Sequence, residues 1–332
     1  MRAGTFLVVT SINSPNAVLH SLAKGAKESG VQFIVVGDRK SPPDFTLENC
    51  DYYSLTDQQS LGFRFAAECP AGHYSRKNIG YLIALKAGAE IIIETDDDNH
   101  PRPNFWAQRV RSHISRIESN PGWVNVYRHF TDAHIWPRGL PLDEVTKSPA
   151  PISNSGLIES PIQQALADEN PDVDAIYRLT LPLPQSFREE QPVALGRDVW
   201  CPFNSQNTTW WKEAAPLLYL PSFCSFRMTD IWRSFVAQRI AWENGWHITF
   251  HSASVWQERN EHNLLKDFED EVPGYLHNRT ICARLSGLEL TSGPANQIEN
   301  LTACYTALID LGVIEPKELG LLEAWSSDLG GI

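Results

Sequence analysis

The sequence has little that would send it to a membrane, a nucleic acid or a disulfide scaffold. No apolar run approaches the roughly 20 residues that a bilayer crossing needs. Met1 to Gly4 leads straight into a strand-like segment with no signal-peptide pattern, so a cytoplasmic location is expected. Basic residues are in deficit: 28 Lys and Arg stand against 40 Asp and Glu, for a net charge of −12. A surface that neutralises nucleic-acid phosphates needs the opposite balance. The six cysteines, Cys50, Cys69, Cys201, Cys224, Cys282 and Cys304, contain no CxxC pair, which fits reduced core thiols better than a zinc site or disulfides. Neither GxGxxG nor GxxxxGK[ST] occurs, so the usual dinucleotide and P-loop phosphate cradles are missing. What is present, 332 residues at 42% hydrophobic content, suits one large or two modest globular domains.

The apolar runs alternate with helical stretches. Thr5 to Thr10 reads as a first strand. Asn13-Ser14-Pro15 then supplies an N-cap and a first-turn proline for a helix to about Ser29, with Val18, Leu19 and Leu22 on its apolar face and Gly30 to end it. Val31 to Val36 is a second strand, Tyr52-Tyr53 a short third, and Gln58 to Glu68 a helix; Ser75 caps a further helix that ends at Gly88. Such alternation predicts a parallel sheet with helices on both faces.

The run Glu90 to Pro101, EIIIETDDDNHP, then stops in three consecutive aspartates. Ile91-Ile92-Ile93 has the pattern of a strand buried on both faces, which sets Asp96, Asp97 and Asp98 at its carboxyl end, where open α/β sheets bind ligands. Adjacent carboxylates repel one another. They form either a solvated turn capping the next helix or a seat for a hard divalent cation and the phosphates it carries. Arg76 and Lys77 open the preceding helix, where basic residues oppose the helix dipole; a bound anion such as a diphosphate would account for them.

In the second half, Pro-rich stretches from Pro137 to Pro161 and Pro182 to Pro192 flank PDVDAIYRLT and predict long loops over the ligand edge. Phe226-Arg227-Met228-Thr229-Asp230 leads into a helix bearing Ile231, Phe235 and Ile240, with Asp230 at the N-cap. A strand is expected over Trp246 to Phe250. Beyond Glu261, residues 262–272, 279–288, 295–311 and 316–329 have helical spacing.

The ordered set of these segments resembles the GT-A nucleotide-sugar glycosyltransferases. Within that class it is most similar to the STELLO-type glycosyltransferases, on VVGDRKSP, SRKNIGYLIALKAGAEIIIETDDDN and QRIAWENGWHITFHSASVWQERNEHNLLKDFEDEVPGYLHN. A weaker likeness links it to the UDP-arabinopyranose mutase (reversibly glycosylated polypeptide) family, through the aspartate triplet, ENPDVDAIYRLT and HSAS. The resemblance spans about residues 5–278. It implies an α/β GT-A fold, a mostly parallel sheet flanked by helices with a helical carboxyl-terminal appendage. The catalytic domain would be 1–260, divided into a nucleotide-sugar half (1–127) and an acceptor half (128–260), and the helical region 261–332.

The resemblance also implies a site. Mn²⁺ or Mg²⁺ would be held by Asp96 and Asp98, with His251, or failing that His262, as a further ligand. A UDP- or GDP-linked sugar donor would be met by Thr10, Ser11, Asp38, Arg39, Arg76, Lys77, Asn78 and Asp97, with Arg227 and Arg233 as further phosphate or carbohydrate contacts. Asp230 would be the general base toward a glycan or other hydroxyl acceptor. Two other readings stay open: a sugar-nucleotide mutase in which an arginine takes the sugar transiently, and a non-catalytic carbohydrate-binding or scaffold protein of the same fold. A haloacid-dehalogenase phosphatase fits less well, because its aspartates belong on an early strand and His100 stands where Thr or Val is wanted.

Overall fold

The computed structural model describes residues 4–258 and 263–332. The early apolar runs become strands β1 (Thr5–Thr10), β2 (Gln32–Val36), β3 (Asp51–Tyr53) and β4 (Ile91–Thr95), which lie parallel in the order β3-β2-β1-β4. Helices α1 (Ala17–Ser29), α2 (Leu55–Ser60), α3 (Arg64–Glu68) and α4 (Lys77–Lys86) make the crossovers. The strands are apolar on both faces because both are covered: Leu7, Val9 and Ile93 pack with Leu19 and Leu22 of α1, while Phe6, Val8 and Ile92 pack with Ile79 and Leu82 of α4. Helix α4 approaches closely because Gly80 lies over Val8 and Val36, where a Cβ would overlap both side chains.

Local signals were shifted rather than absent. The cap of α1 is Asn16, not the Asn13-Ser14-Pro15 segment; its side chain accepts from the Leu19 amide at 2.9 Å. The helix ends as expected at Gly30, whose φ of 68° is left-handed. The single helix expected over 58–68 is two, since Ser54 and Asp57 open α2 with a capping box and Gly62, at φ 77°, turns the chain before α3.

Beyond β4 the sheet becomes mixed. Strands β5 (Asn99–Pro101), β6 (Ser112–Glu118), β7 (Gly122–Trp123), β8 (Ser155–Glu159), β9 (Ile162–Asp168), β10 (Val193–Leu195), β11 (Val199–Trp200), β12 (Asn207–Trp211) and β13 (Ile248–Gln257) follow. The large sheet continues β4-β12-β9-β13-β10-β6-β8, with β5 beside β13, and β7 and β11 form a separate pair. β12 runs antiparallel to β4 and β9, whereas β9 and β13 are parallel. The last strand extends seven residues past the Phe250 at which the sequence placed its end, through an irregularity between His251 and Val255. Between these strands lie α5 (Ala175–Thr180) and the almost wholly buried α6 (Thr229–Glu243).

The carboxyl-terminal region is α7 (Leu264–Ser286), α8 (Gln297–Asp310) and α9 (Glu318–Gly330). Two helices expected over 262–272 and 279–288 are one, with Pro273 inside it. These helices share a core with the sheet. Trp325 and Tyr305 meet the Tyr219 ring, and buried Glu318 accepts from the amides of Ser222 and Phe223 at 3.0 and 2.7 Å. All six cysteines are free thiols. The α/β class, a large sheet flanked by helices with carboxyl-terminal helices added, is the expected one and is consistent with a GT-A-like fold. No helix among the described residues is long and apolar enough to cross a membrane.

Candidate functional site

The carboxyl ends of β1, β2 and β4 and the start of α6 enclose a cleft of about 730 Å³. Thr10, Ser11, Asp38 and Arg39 line one side of it, with Arg76 behind them. Asp96, Asp97, Asp98 and Asp230 complete the expected residues brought together there. Lys77, Asn78 and His251 are not among its lining residues, and His262 lies outside the described residues.

The triplet divides its labour. Asp97 turns toward β1, where its Oδ2 accepts from Ser11 Oγ at 2.5 Å and Asn13 Nδ2 at 2.9 Å. Its carbonyl accepts from Asn16 Nδ2 at 2.8 Å, so the α1 cap residue also fixes the aspartate turn. Asp96 and Asp98 are propped from below and from the side. Fully buried Lys77 donates to Asp96 Oδ1 and the Thr95 carbonyl, both at 3.0 Å, and Gln257 donates to Asp98 Oδ1 at 3.0 Å. Lys77 thus runs beneath the aspartates instead of projecting from the α4 amino terminus. Desolvation raises the Asp96 carboxyl to about 7 against the pull of Lys77, with Asp98 and Asp97 adding to the rise. Because 39% of that side chain is open to the cleft, water relieves part of the push.

Three carboxylates beside one ammonium leave the floor anionic, which fits a divalent cation. Among the described residues no three His, Cys, Asp or Glu side chains converge as a ready-made metal cage. Two carboxylates completed by water and phosphate oxygens is the arrangement magnesium-like ions prefer. His251 does not belong to this set. It lies on β13 with Nε2 3.1 Å from Gln163 Oε1, in a separate cleft of about 350 Å³ shared with His113, and burial, together with His113 and Arg109, lowers its basicity to about 3. The residue of β13 that reaches the aspartates is Gln257, which lies in the part of the strand the sequence did not show.

The acceptor side is built on an ion network that sequence reasoning missed. Arg138 is buried and donates to Asp172 through Nε at 2.9 Å and Nη2 at 2.8 Å, and to Asp230 through Nη1 at 3.1 Å and Nη2 at 3.0 Å. Asp230 is not the cap of α6: the N-cap is Met228, and Asp230 occupies the first turn with its carboxylate turned to Arg138 and the Ser205 amide. Burial alone would raise Asp230, but the charge and hydrogen bonds of Arg138 hold it well below the usual carboxylate range. Arg138 keeps its place because Gly139, at φ 92°, packs where a Cβ would strike Ile231 of α6. The Gly139 carbonyl also accepts from Asn278 of α7 at 2.7 Å.

Other expected contacts have structural partners. Asn78 clamps Leu220, accepting from its amide and donating to its carbonyl at 2.9 Å each. Arg233 is buried in an ion pair with Glu94 at 2.7 Å. Arg227 lines the cleft but pairs with Glu271. Asp38 accepts from the Gly72 and His73 amides, so it pins the loop before α4.

Residues 227–330 match the family model of STELLO glycosyltransferases. Two Arabidopsis thaliana proteins are similar to the chain. "Probable glycosyltransferase STELLO2" is 30% identical over 275 residues, covering 76% of this chain and 36% of that protein. "Probable glycosyltransferase STELLO1" is 31% identical over 264 residues, covering 73% and 34%. The chain thus spans about a third of the length of these curated relatives.

Proposed function

We propose that this chain, similar to the STELLO glycosyltransferases, transfers a sugar from a UDP- or GDP-linked donor to a hydroxyl acceptor with the help of a divalent cation. The observation that carries the reading is the pair Asp96 and Asp98 at the end of β4, set on a cleft floor with Asp97 turned away to Ser11 and Asn13. These two residues would hold Mn²⁺ or Mg²⁺, which supplies charge neutralisation for the leaving diphosphate.

The protein's own part is positioning. Lys77 fixes the Asp96 carboxylate and Gln257 that of Asp98, and burial beneath Asp96 keeps Lys77 from swinging away. Arg138 pairs with both Asp230 and Asp172 at the cleft wall and holds the Asp230 carboxyl well below its usual range. That pairing makes Asp230 a poor proton acceptor and a good acceptor of hydrogen bonds, so it orients a sugar or acceptor hydroxyl more readily than it removes its proton.

The test is thermal stabilisation by UDP, GDP and their sugar conjugates, with Mn²⁺ and with excess chelator, since a ligand selective for the folded state raises its melting temperature. Stabilisation that needs the cation is expected, followed by release of nucleoside diphosphate once an acceptor is supplied. Equal stabilisation in chelator would sink the metal-dependent reading. An isomerised nucleotide sugar as the product would favour the mutase instead.

A further inference from the structure

We propose that His73 and Arg76 are the residues that read the donor's nucleobase, donating to a ring carbonyl and so selecting keto bases, uracil or guanine, over the amino bases cytosine and adenine. The inference rests on the nucleotide-sugar reading above and deepens it.

Its starting point is two unmatched donors in one short segment. Arg76 is only 3% exposed, yet it borders the cleft. Its Nε donates to Gln58 Oε1 at 2.8 Å and its Nη1 to the Cys69 carbonyl at 2.9 Å, while Nη2 is buried with no partner. His73 borders the same cleft. Its Nδ1 accepts from the Ser75 amide at 3.1 Å, which places the proton of the neutral ring on Nε2, and that atom too is buried without a partner. Burial lowers the ring's pKa to about 4, so the neutral form is the one present at neutral pH. A buried donor left unmatched is costly in a folded protein, and two in one short segment bordering a cleft call for an acceptor from outside.

Their place in the fold says which part of a ligand they meet. Gln58 ties Arg76 to the Gly37 carbonyl at 2.8 Å, and Asp38 accepts from the His73 amide at 2.9 Å, so both donors stand at the end of β2. The strand order β2-β1-β4 separates them from Asp96 and Asp98 by two strand spacings, about 10 Å. A diphosphate drawn to the aspartate end leaves a nucleoside pointing toward β2. The Asp38 carboxylate beside these donors disfavours a second anion and leaves a neutral carbonyl as the matching acceptor. Phe226, 46% exposed at the cleft, has its ring 5.1 Å from His73 and 5.0 Å from Tyr74, and offers an apolar face against which a flat base can lie. Cytosine and adenine present an amino group where uracil and guanine present oxygen, so they would set donor against donor.

The experiment is calorimetric titration of the full chain in Mn²⁺ with UDP, CDP, GDP, ADP and inorganic pyrophosphate, for the wild type, His73→Phe and Arg76→Gln. His73→Phe keeps the ring contacts and removes the donor. The expected result is a preference of about ten- to a hundredfold for UDP over CDP and for GDP over ADP, the usual scale of base discrimination by such contacts. In the variants that ratio should collapse while pyrophosphate affinity holds. Equal affinity for UDP and CDP in the wild type overturns the inference without any variant. So does an unchanged ratio in variants whose melting curves show them folded, or a loss of pyrophosphate binding in its place. Failure of every nucleotide and of pyrophosphate to bind would remove the donor reading itself, and the inference with it.

Discussion

The aspartate cleft and the histidine-lined cleft lie on one sheet and differ in how their charges are arranged. In the histidine-lined cleft, Gln163 donates to the Val110 and Ser160 carbonyls at 2.9 Å and receives His251. Asn207 there is bonded to Ser254 Oγ at 2.9 Å, and Arg109 to Thr209 Oγ1 at 3.1 Å. Buried atoms without partners occur in both clefts, on His113 in this one and on His73 and Arg76 in the aspartate cleft, but the aspartate cleft alone of the two sets three adjacent carboxylates together. Concavity and a histidine are common to any open sheet face. Crowded like charge persists only where something else completes it, so it marks the functional cleft.

The sharpest way to break that contrast is to remove one residue from each cleft. Asp98→Ala should abolish the gain in nucleoside diphosphate affinity that Mn²⁺ confers and lower turnover by about 10²-fold or more, in line with the several kcal/mol a catalytic metal supplies. His251→Ala should leave Mn²⁺ affinity unchanged. Calorimetric Mn²⁺ titrations of both variants check this. Loss of metal binding in His251→Ala would return that histidine to the ligand set.

The same contrast explains what was legible in the sequence. The β1, β2 and β4 runs are continuous and apolar, and the aspartates sit next to each other, so the floor of the cleft could be read from local pattern alone. Arg138 could not. It meets Asp172 and Asp230, 34 and 92 residues away, from within a proline-rich loop that has no periodicity to anchor a prediction. Gln257 was hidden for a different reason. The stretch His251 to Ser254 is mostly polar because His251, Ser252 and Ser254 line the second cleft, so the apolar run stops at Phe250 although the strand goes on to Gln257. Lys77 opens its helix and is expected to face a diphosphate; only its contacts with Thr95 and Asp96 show that it runs beneath the aspartates.

Substitutions in the Arg138 network sharpen the comparison on the side of stability. Arg138→Met would leave two carboxylates buried without their counter-charge, and unfolding free energy should fall by about 3–5 kcal/mol. Urea denaturation measures it; a loss under about 1 kcal/mol would mean that water already reaches the pair. Asp230→Asn keeps the shape and loses one charge, so the expected cost is smaller, about 1.5–3 kcal/mol. Its kinetic effect separates the two roles considered for Asp230. An orienting carboxylate predicts a change mainly in KM, whereas a drop in kcat of about 10²–10⁴-fold, the usual contribution of a positioned base, would restore the general-base assignment.

The smallest expected effect is the pH dependence of the two clefts, and its sign follows from which way each group is pushed. Asp96 is raised to about 7 by desolvation and by its neighbouring carboxylates. A carboxyl must lose its proton to hold a cation, so protons and Mn²⁺ compete for it, and affinity should weaken as pH falls through 7. Between pH 8 and pH 6 the loss should reach at most about tenfold, because a single competing proton changes affinity by no more than that per pH unit below the pKa. The partial exposure of Asp96 makes the true value smaller. His251 is pushed the other way, down to about 3, so it stays neutral over this range and contributes nothing to the slope. Mn²⁺ titrations at pH 6, 7 and 8 should therefore show a dependence that Asp96→Asn flattens and His251→Ala does not. A slope that survives Asp96→Asn would move the titrating group elsewhere in the aspartate cleft, and one that disappears in His251→Ala would show that the two clefts are coupled across the sheet.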